Sequence, residues 1–530
     1  MRSYRLVYRA GAAAFASLLA TAAPARAQLI TDQHVRVNVS AGFETEQYLR
    51  ALQLAGVAPQ YPWSVRAFGA DELEYLMPAA DSMHPWSTRV RRATGKLQWY
   101  LLAPSAQLLY NTTLPYGAND GPLWAGRGLT SDLQFGFGAS AGPVSLVVAP
   151  EVFRAENRGF PLVPTGGTGA RAFANGYVPG AIDAPQRFGD LAYQRFDLGQ
   201  TTLRIAPGPV AIGISTANEY WGPAVFNPVL LGNNAGGFPH VFAGTSHPLD
   251  LWLFKVHGRV IWGRLDQSDY SPYAGSEKRR LGDGLVGIIE PRGLPGLELG
   301  ASRFYHKVWP EGGPKWSDIS MPFTLNSFAA SRRNTAGTEK ANQIASIFFR
   351  WAFPGTGFEA YGEFGREDYN NDIIDVISEP DHISAYTVGV QRVLRRSAQN
   401  MLVLKGEVMN SRTTRLERVR AQGPFYVHTP VTQGHTERGQ VLGAPAGLGG
   451  GGTNLSVDSY SPSGRWSVRL TRQMVDQSRQ SAFYGVTGER LWFRRYADLR
   501  VAVTQAVEIN RNPEQDVGNL NLQIGTLIHW

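Results

Sequence analysis

The chain has 530 residues, a formal net charge of +8 and no cysteine; 59 residues are glycine, 11% are aromatic and only 18% are charged, against about 25% charged in a typical soluble domain. Without cysteine a disulfide scaffold, a thiol nucleophile, a thiolate zinc site and an iron–sulfur cluster are excluded. A glycine-rich, aromatic-rich, charge-poor composition fits a transmembrane β-barrel better than a large secreted β-protein, and no blade period of about 40–50 residues supports a propeller.

In chain order, "MRSYRLVYR" carries Arg2, Arg5 and Arg9, "AGAAAFASLLATAA" is a short run of small apolar residues, and "ARA" at 25–27 is a small-x-small cleavage site. That order predicts a secretory signal peptide over 1–27. Its removal takes four arginines and leaves a charge of +4 (8 − 4). No later stretch has the roughly 18 consecutive apolar residues of a membrane helix.

Residues 28–95 read as a helical segment, expected on the periplasmic side. In "TEQYLRALQLAG" Tyr48, Leu49, Leu52 and Ala55 share a helical face and Gly56 can cap it. "ADELEYLM" predicts a second short helix stopped by Pro78, and "PWSTRVRRAT" a third turn.

From residue 96 to 530 the period becomes two. Phe358, Ala360, Gly362 and Phe364 alternate with Glu359, Tyr361 and Glu363; Leu402, Leu404, Gly406 and Val408 oppose Lys405 and Glu407; Trp466, Val468 and Leu470 oppose Arg465, Ser467, Arg469 and Thr471. One apolar, aromatic face and one charged face fit lipid outside and a polar lumen inside. Tight Pro/Gly turns at 140–144, 206–210, 291–296 and 353–357 alternate with long connections at 156–195, 220–243, 308–342 and 411–452, the pattern of periplasmic turns and extracellular loops. "DLWLFKVHGRVIWGRLD" is one long strand or a hairpin turning at Val256–Gly258. The hairpin restores an even count, giving an all-β antiparallel transmembrane barrel of about 18 strands. "LNLQIGTLIHW", ending at Trp530, resembles the terminal strand read by the outer-membrane assembly machinery.

Motifs of chemistry are weak. "GASAG" at 138–142 matches a nucleophile elbow, which needs a strand–Ser–helix turn, yet Pro143 and a second strand follow. "GLGGGG" at 447–452 lacks the Lys-Ser/Thr of a phosphate loop and reads as flexible linker. Asp368, Asn370, Asp372 and Glu379 echo a calcium loop, but Ile373 stands where glycine is needed, so a solvated acidic loop is expected. No metal, cofactor or catalytic residue is predicted.

"NEYWGPAVFNPVLLGNNAGGFPH" at 218–240, "EAYGEFGRED", "EPDHISAYTVGVQ" and "VTQGHTERGQVLGA" resemble the capsule assembly Wzi family over most of the mature chain. This chain has Tyr220-Trp221 where two tryptophans are expected, and Gly232 where a serine is usual. The resemblance implies an outer-membrane barrel with a small helical bundle at its periplasmic mouth, a non-enzymatic lectin-like protein that holds capsular polysaccharide. An eighteen-stranded barrel leaves an aqueous channel unless something fills it. The apolar 220–243 loop is therefore expected to fold inward as a plug, with Trp221, Phe226, Asn233, Asn234, Phe238 and His240 as candidate plug residues, or else to lie as an extracellular lid. Arg412, Arg415, Arg418, Arg420, Tyr426, His428 and His435 are candidates for holding polymer on a mobile 411–440 loop, since rings stack on sugars and guanidinium groups pair with acidic groups. The same arginines could instead pair with lipopolysaccharide phosphates. Expected partners are surface polysaccharide, lipopolysaccharide with outer-membrane lipids, and the assembly machinery; no nucleic acid is expected, and the protein reads as a monomer. The alternative function is a porin or solute channel constricted by inward-folded loops; an outer-membrane hydrolase is the weakest reading.

Overall fold

The computed structural model describes residues 38–90, 97–272, 278–323, 341–367, 381–413, 422–428, 431–512 and 515–528. The signal peptide, the acidic stretch from Asp368 to Glu379 and Trp530 lie outside these residues. The described residues form a closed antiparallel barrel of 18 strands. In chain order these are β1 Leu97–Asn111, β2 Gly128–Ala141, β3 Val144–Val148 with Glu151–Ala155, β4 Tyr193–Asp197 with Thr202–Ile205, β5 Val210–Ser215 and β6 His240–Thr245 with Leu249–Leu251. There follow β7 Phe254–Asp266, β8 Arg279–Pro291, β9 Leu297–Val308, β10 Ala341–Phe353, β11 Phe358–Glu367 and β12 Ser384–Ser397. The last six are β13 Asn400–Asn410, β14 Gly451–Ser461, β15 Gly464–Asp476, β16 Ser481–Trp492, β17 Ala497–Asn512 and β18 Gln515–Ile528. β18 closes on β1, with Asn521 opposite Asn111 and Leu527 opposite Ser105, so the barrel sheet is left without an edge.

Alternation decides which way each side chain faces. Glu359, Tyr361, Glu363, Lys405, Glu407, Arg465 and Ser467 are buried in the lumen, while Phe364, Leu404, Val408, Trp466, Val468 and Leu470 stand on the outer wall. The two-residue period therefore separates lipid from lumen as the sequence implies. The hairpin in "DLWLFKVHGRVIWGRLD" exists but turns at Trp252–Leu253, not at Val256–Gly258. Asp250 sets the turn: its carboxylate accepts the Trp252 N–H at 3.2 Å and pairs with Arg292, and Trp252 takes a left-handed φ of 63°.

The N-terminal segment packs into the barrel at the short-turn end. Helix α1 (Glu44–Leu54) is followed by Gly56 in the left-handed region at φ 69°, and α2 (Leu73–Leu76) is shorter than the sequence implies. The expected third helical turn is a run of hydrogen-bonded turns over 85–89. Two-residue ladders join Asn38–Val39 to Phe68–Gly69 and Val65–Arg66 to Tyr220–Trp221. Tyr48, Leu49, Leu52, Trp63 and Trp86 pack with wall residues Ala352, Val393, Val403 and Tyr460. Ion pairs tie the segment to the strands: Arg204 to Asp71, Arg89 to Asp498, Arg465 to Glu44 and Arg50 to Glu359.

This register yields a paired test at adjacent residues. Leu404 is 37% exposed on the outer wall and Lys405 is 7% exposed, 3.0 Å from Asp458. An arginine facing lipid near the bilayer midplane costs about 2–4 kcal/mol. Leu404→Arg is expected to abolish the heat-modifiable folded band of outer-membrane preparations. Lys405→Leu is expected to assemble with reduced heat stability, because Arg465 still lies 2.9 Å from Asp458.

Candidate functional site

Between β5 and β6 the chain leaves the wall and crosses the lumen. An irregular segment there cannot pair its own backbone groups, and each one left unpaired away from water is costly. The wall and the N-terminal segment supply the partners. Glu407 on β13 accepts the backbone N–H groups of Val225 at 2.7 Å, Phe226 at 3.1 Å and Asn227 at 2.6 Å, together with the Asn227 side-chain amide at 3.0 Å and the Tyr361 hydroxyl at 2.8 Å. Glu363 on β11 accepts the Val229 N–H at 3.3 Å. The carbonyls are met as well. Arg66 donates to those of Gly222 and Ala224, Arg50 to Pro223, Asn119 to Phe226 and Thr387 to Asn227. Asn218 donates to Gly232 and Ala235.

Apolar side chains fill the space these bonds define. Trp221, Val229, Leu230, Leu231 and Phe238 form one core with wall residues Phe242, Ile261, Val286, Phe304, Ile344 and Phe348. The structure thus places Trp221, Phe226, Asn233 and Phe238 inside the barrel, with Asn234 half-buried. Asn233 donates to Ala41 and Asn234 to Val441. His240 begins β6, its Nδ1 2.8 Å from the Phe238 carbonyl. Tyr220 is an internal strut: its hydroxyl donates to Val225 and Arg66 lies 3.9 Å over its ring. Burial opposes ionisation of Glu219, but Arg259 at 3.0 Å, with His240 and the Trp221 indole, holds its carboxyl down to about 2.

The 411–440 segment is not one mobile loop, and two of its candidate residues are unavailable to a polymer. Tyr426 is fully buried; its hydroxyl donates to the Val229 carbonyl at 2.6 Å and accepts the Ala444 N–H at 3.0 Å. His435 stacks on Tyr426 and donates from Nε2 to the Leu230 carbonyl at 2.6 Å. Burial pushes its imidazole down to about 4, so it is neutral. Both residues therefore clamp the plug. The glycine tract read as a linker is part of this packing: a Cβ on Gly447 would stand 2.3 Å from the Tyr426 ring, and one on Gly443 2.3 Å from its hydroxyl. Arg412 is exposed beside Met474, and His428 is half-buried with its Nδ1 accepting the Val431 N–H. Arg415, Arg418 and Arg420 lie outside the described residues.

Above the plug, on the long-loop side, is a cleft of about 290 Å³ that the sequence reading missed. Its walls include Tyr116, Trp124, Phe160, Tyr177 and Phe483, with Asp120, Arg479 and Arg511 among them. Three separate connections and the ends of strands β16 and β17 supply these residues, so no local motif announces them; the only signal is an excess of aromatics in the connections. Tyr116 meets Phe483 edge-on at 5.6 Å and Arg511 lies 5.6 Å from the Phe160 ring. The indole N–H of Trp124 has no hydrogen-bond partner among the described residues. Burial holds the Tyr116 and Tyr177 phenols up, keeping both hydroxyls protonated, and pushes the Asp120 carboxyl up to about 6. Rings with a few directed polar groups make a small-ligand site. Among the described residues no group of three His, Asp or Glu side chains could hold a metal.

The family model for capsule assembly protein Wzi matches residues 36–520. Among solved structures, Wzi of Escherichia coli, described as an outer membrane protein involved in group 1 capsule assembly and a carbohydrate binding beta-barrel, is 14% identical. It aligns over 92% of this chain and 98% of its own with a TM-score of 0.60, which establishes likeness of fold. A BenF-like porin from Pseudomonas fluorescens aligns over 82% of this chain and 99% of its own, at 8% identity and a TM-score of 0.40, too loose a likeness to carry an argument. No curated protein matches the sequence.

Glu407 is the residue on which the crossing depends most. Glu407→Gln keeps the shape but places an amide donor among N–H donors. Leaving such buried groups unpaired costs roughly 1–3 kcal/mol each. The variant is expected to lose its folded band at a lower temperature and to become protease-sensitive within 216–239.

Proposed function

The chain belongs to the capsule assembly protein Wzi family, an outer-membrane barrel family, and from that premise we propose that this protein holds capsular polysaccharide at the cell surface through the loop-side mouth of its barrel. The observation that carries the reading is the pairing of a filled lumen with an aromatic-lined cleft above it. A lumen crossed by a hydrogen-bonded plug offers a solute no route, whereas the cleft offers ring faces and hydroxyl donors to a sugar. The carbohydrate binding described for Wzi of Escherichia coli supports the same reading. Binding without covalent chemistry is the role proposed; the protein acts as a lectin-like attachment point and not as an enzyme.

In this reading the cleft grips individual residues of the polymer through Tyr116, Tyr177 and Trp124. The exposed Arg412, with Arg415, Arg418 and Arg420 in the adjoining segment, supplies positive charge for an acidic chain. His428 belongs to the same connection; Tyr426 and His435 act only by holding the plug beneath. Residues 38–90 close the short-turn end, which faces the periplasm when the long loops face outward. The C-terminal strand is the segment presented to the assembly machinery, and the barrel works as a monomer in contact with lipopolysaccharide.

Two variant sets test this. Tyr116→Ala with Tyr177→Ala removes ring faces from the cleft, and serine replacement of Arg412, Arg415, Arg418 and Arg420 removes the charge. With folding checked by heat-modifiable mobility, each is expected to move polysaccharide from cells to medium at unchanged total. Unchanged retention in the tyrosine pair would remove the cleft from the account. Unchanged retention in the arginine set, with altered sensitivity to outer-membrane disruptors, would assign those residues to lipopolysaccharide.

A further inference from the structure

On most of the barrel the outer wall is apolar. One row near the long-loop rim of β7–β10 is not. Trp262, Asp283, Tyr305 and Gln343 sit opposite one another across four strands. They share the outward face, because the intervening positions Ile261, Gly282, Phe304 and Ile344 belong to the lumen side. Yet Asp283, Tyr305 and Gln343 are buried. The Tyr305 hydroxyl and one Asp283 oxygen have no hydrogen-bond partner among the described residues.

The cover is the start of the connection after β9. Residues 315–323 fold back down the outside of the barrel as helix α3 (Trp316–Ile319) and a 3₁₀ turn (Met321–Phe323). Trp262 donates its indole N–H to the Ile319 carbonyl at 2.8 Å and meets the Phe323 ring at 6.4 Å. Lys307, outward on β9, pairs with Asp318, which also accepts the Lys315 N–H at 2.8 Å. This short strap hides a polar row and presents a different surface: Trp316 is 79% exposed, Phe323 56% and Ile319 38%. Below it the same wall continues as Ile289, Leu299, Ile347 and Phe349, the lipid-facing belt.

A polar row facing acyl chains is costly. Large aromatic side chains at the rim of a lipid belt are the residues that membrane interfaces favour. We propose that residues 315–323 are a lipid-embedded strap: Trp316, Ile319 and Phe323 insert among the acyl chains of the outer leaflet, with the exposed Lys315 level with its phosphates. The occupant is lipid because the strap's apolar side chains continue a belt that lipid already covers. The strap thereby extends the hydrophobic height of the barrel on one side and fixes how high the mouth stands above the membrane there. This is independent of what the mouth binds.

The absence of cysteine makes the test direct. Single-cysteine variants Trp316→Cys and Phe323→Cys are spin-labelled in vesicles of lipopolysaccharide and phosphatidylethanolamine. Collision with oxygen and with a water-soluble nickel chelate is compared with labels at Ile347→Cys on the lipid belt and at Gly180→Cys, exposed and with open space around it. Both strap labels are expected to match Ile347→Cys, with oxygen access severalfold above nickel access. Values matching Gly180→Cys would place the strap in water and overturn the proposal. Protection from both reagents would also overturn it, pointing to a second copy or another protein on this face. Two positions are used so that misfolding of one variant leaves the other to decide.

Discussion

The structure depends on one constraint: a chain segment without secondary structure can sit inside a barrel only if the barrel pairs its backbone. Inward-facing carboxylates on the wall do this. Glu298 accepts the Trp63 N–H and the Ser64 hydroxyl, Glu363 and Glu407 accept the plug, and Glu367 accepts the Tyr426 N–H. Glu359, Glu363 and Glu367 are spaced by four along β11, so a strand with a two-residue period aims all three inward. A carboxylate offers about four lone-pair sites to N–H donors, against two on a hydroxyl or an amide oxygen in the same place. The arrangement would fail if the carboxylates were left uncompensated. Arg350 lies between Glu298 and Glu359, and Arg50 donates to Glu359 while also capping the plug carbonyl of Pro223.

Filling the lumen moves function to the rim. Three layers stack along the axis: the N-terminal segment at the short-turn end, the 216–239 crossing, and the Tyr426–His435 clamp at the loop end. Each is bonded to the next, as Arg66 to Gly222, and His435 to Leu230, illustrate. The surface left to meet a large ligand is the mouth, where the cleft lies. The proposed attachment role has no need of a channel.

Much of this was legible in the sequence. Glu363 and Glu407 each fall on the charged face of an alternating run, so their direction follows from period alone. The apolar character of "YWGPAVFNPVLLGNNAGGFPH" implies a packed plug or lid, because Trp221, Leu230 and Phe238 could not rest in water, and the wall contacts decide for the plug. Other features were hidden because they arise only from three-dimensional neighbours. Tyr426 and His435 look like exposed loop residues until Val229 and Leu230 are placed against them. Gly447 looks like part of a linker until the Tyr426 ring occupies the space a side chain would need. The hairpin turn fell at Trp252–Leu253 because Asp250 and Arg292 fix it there, a contact between separate strands. The cleft draws on distant loops and two strand ends, and the outer strap on a polar row that is apparent only across four strands.

Ion conductance across planar lipid bilayers tests the filled lumen most directly. With insertion verified by heat-modifiable mobility, the intact protein is predicted to pass almost no current, at any voltage that the bilayer withstands. Stable, large open steps like those of a porin of similar strand number would contradict the account, because they require the 216–239 crossing to be displaced from the wall carboxylates that hold it.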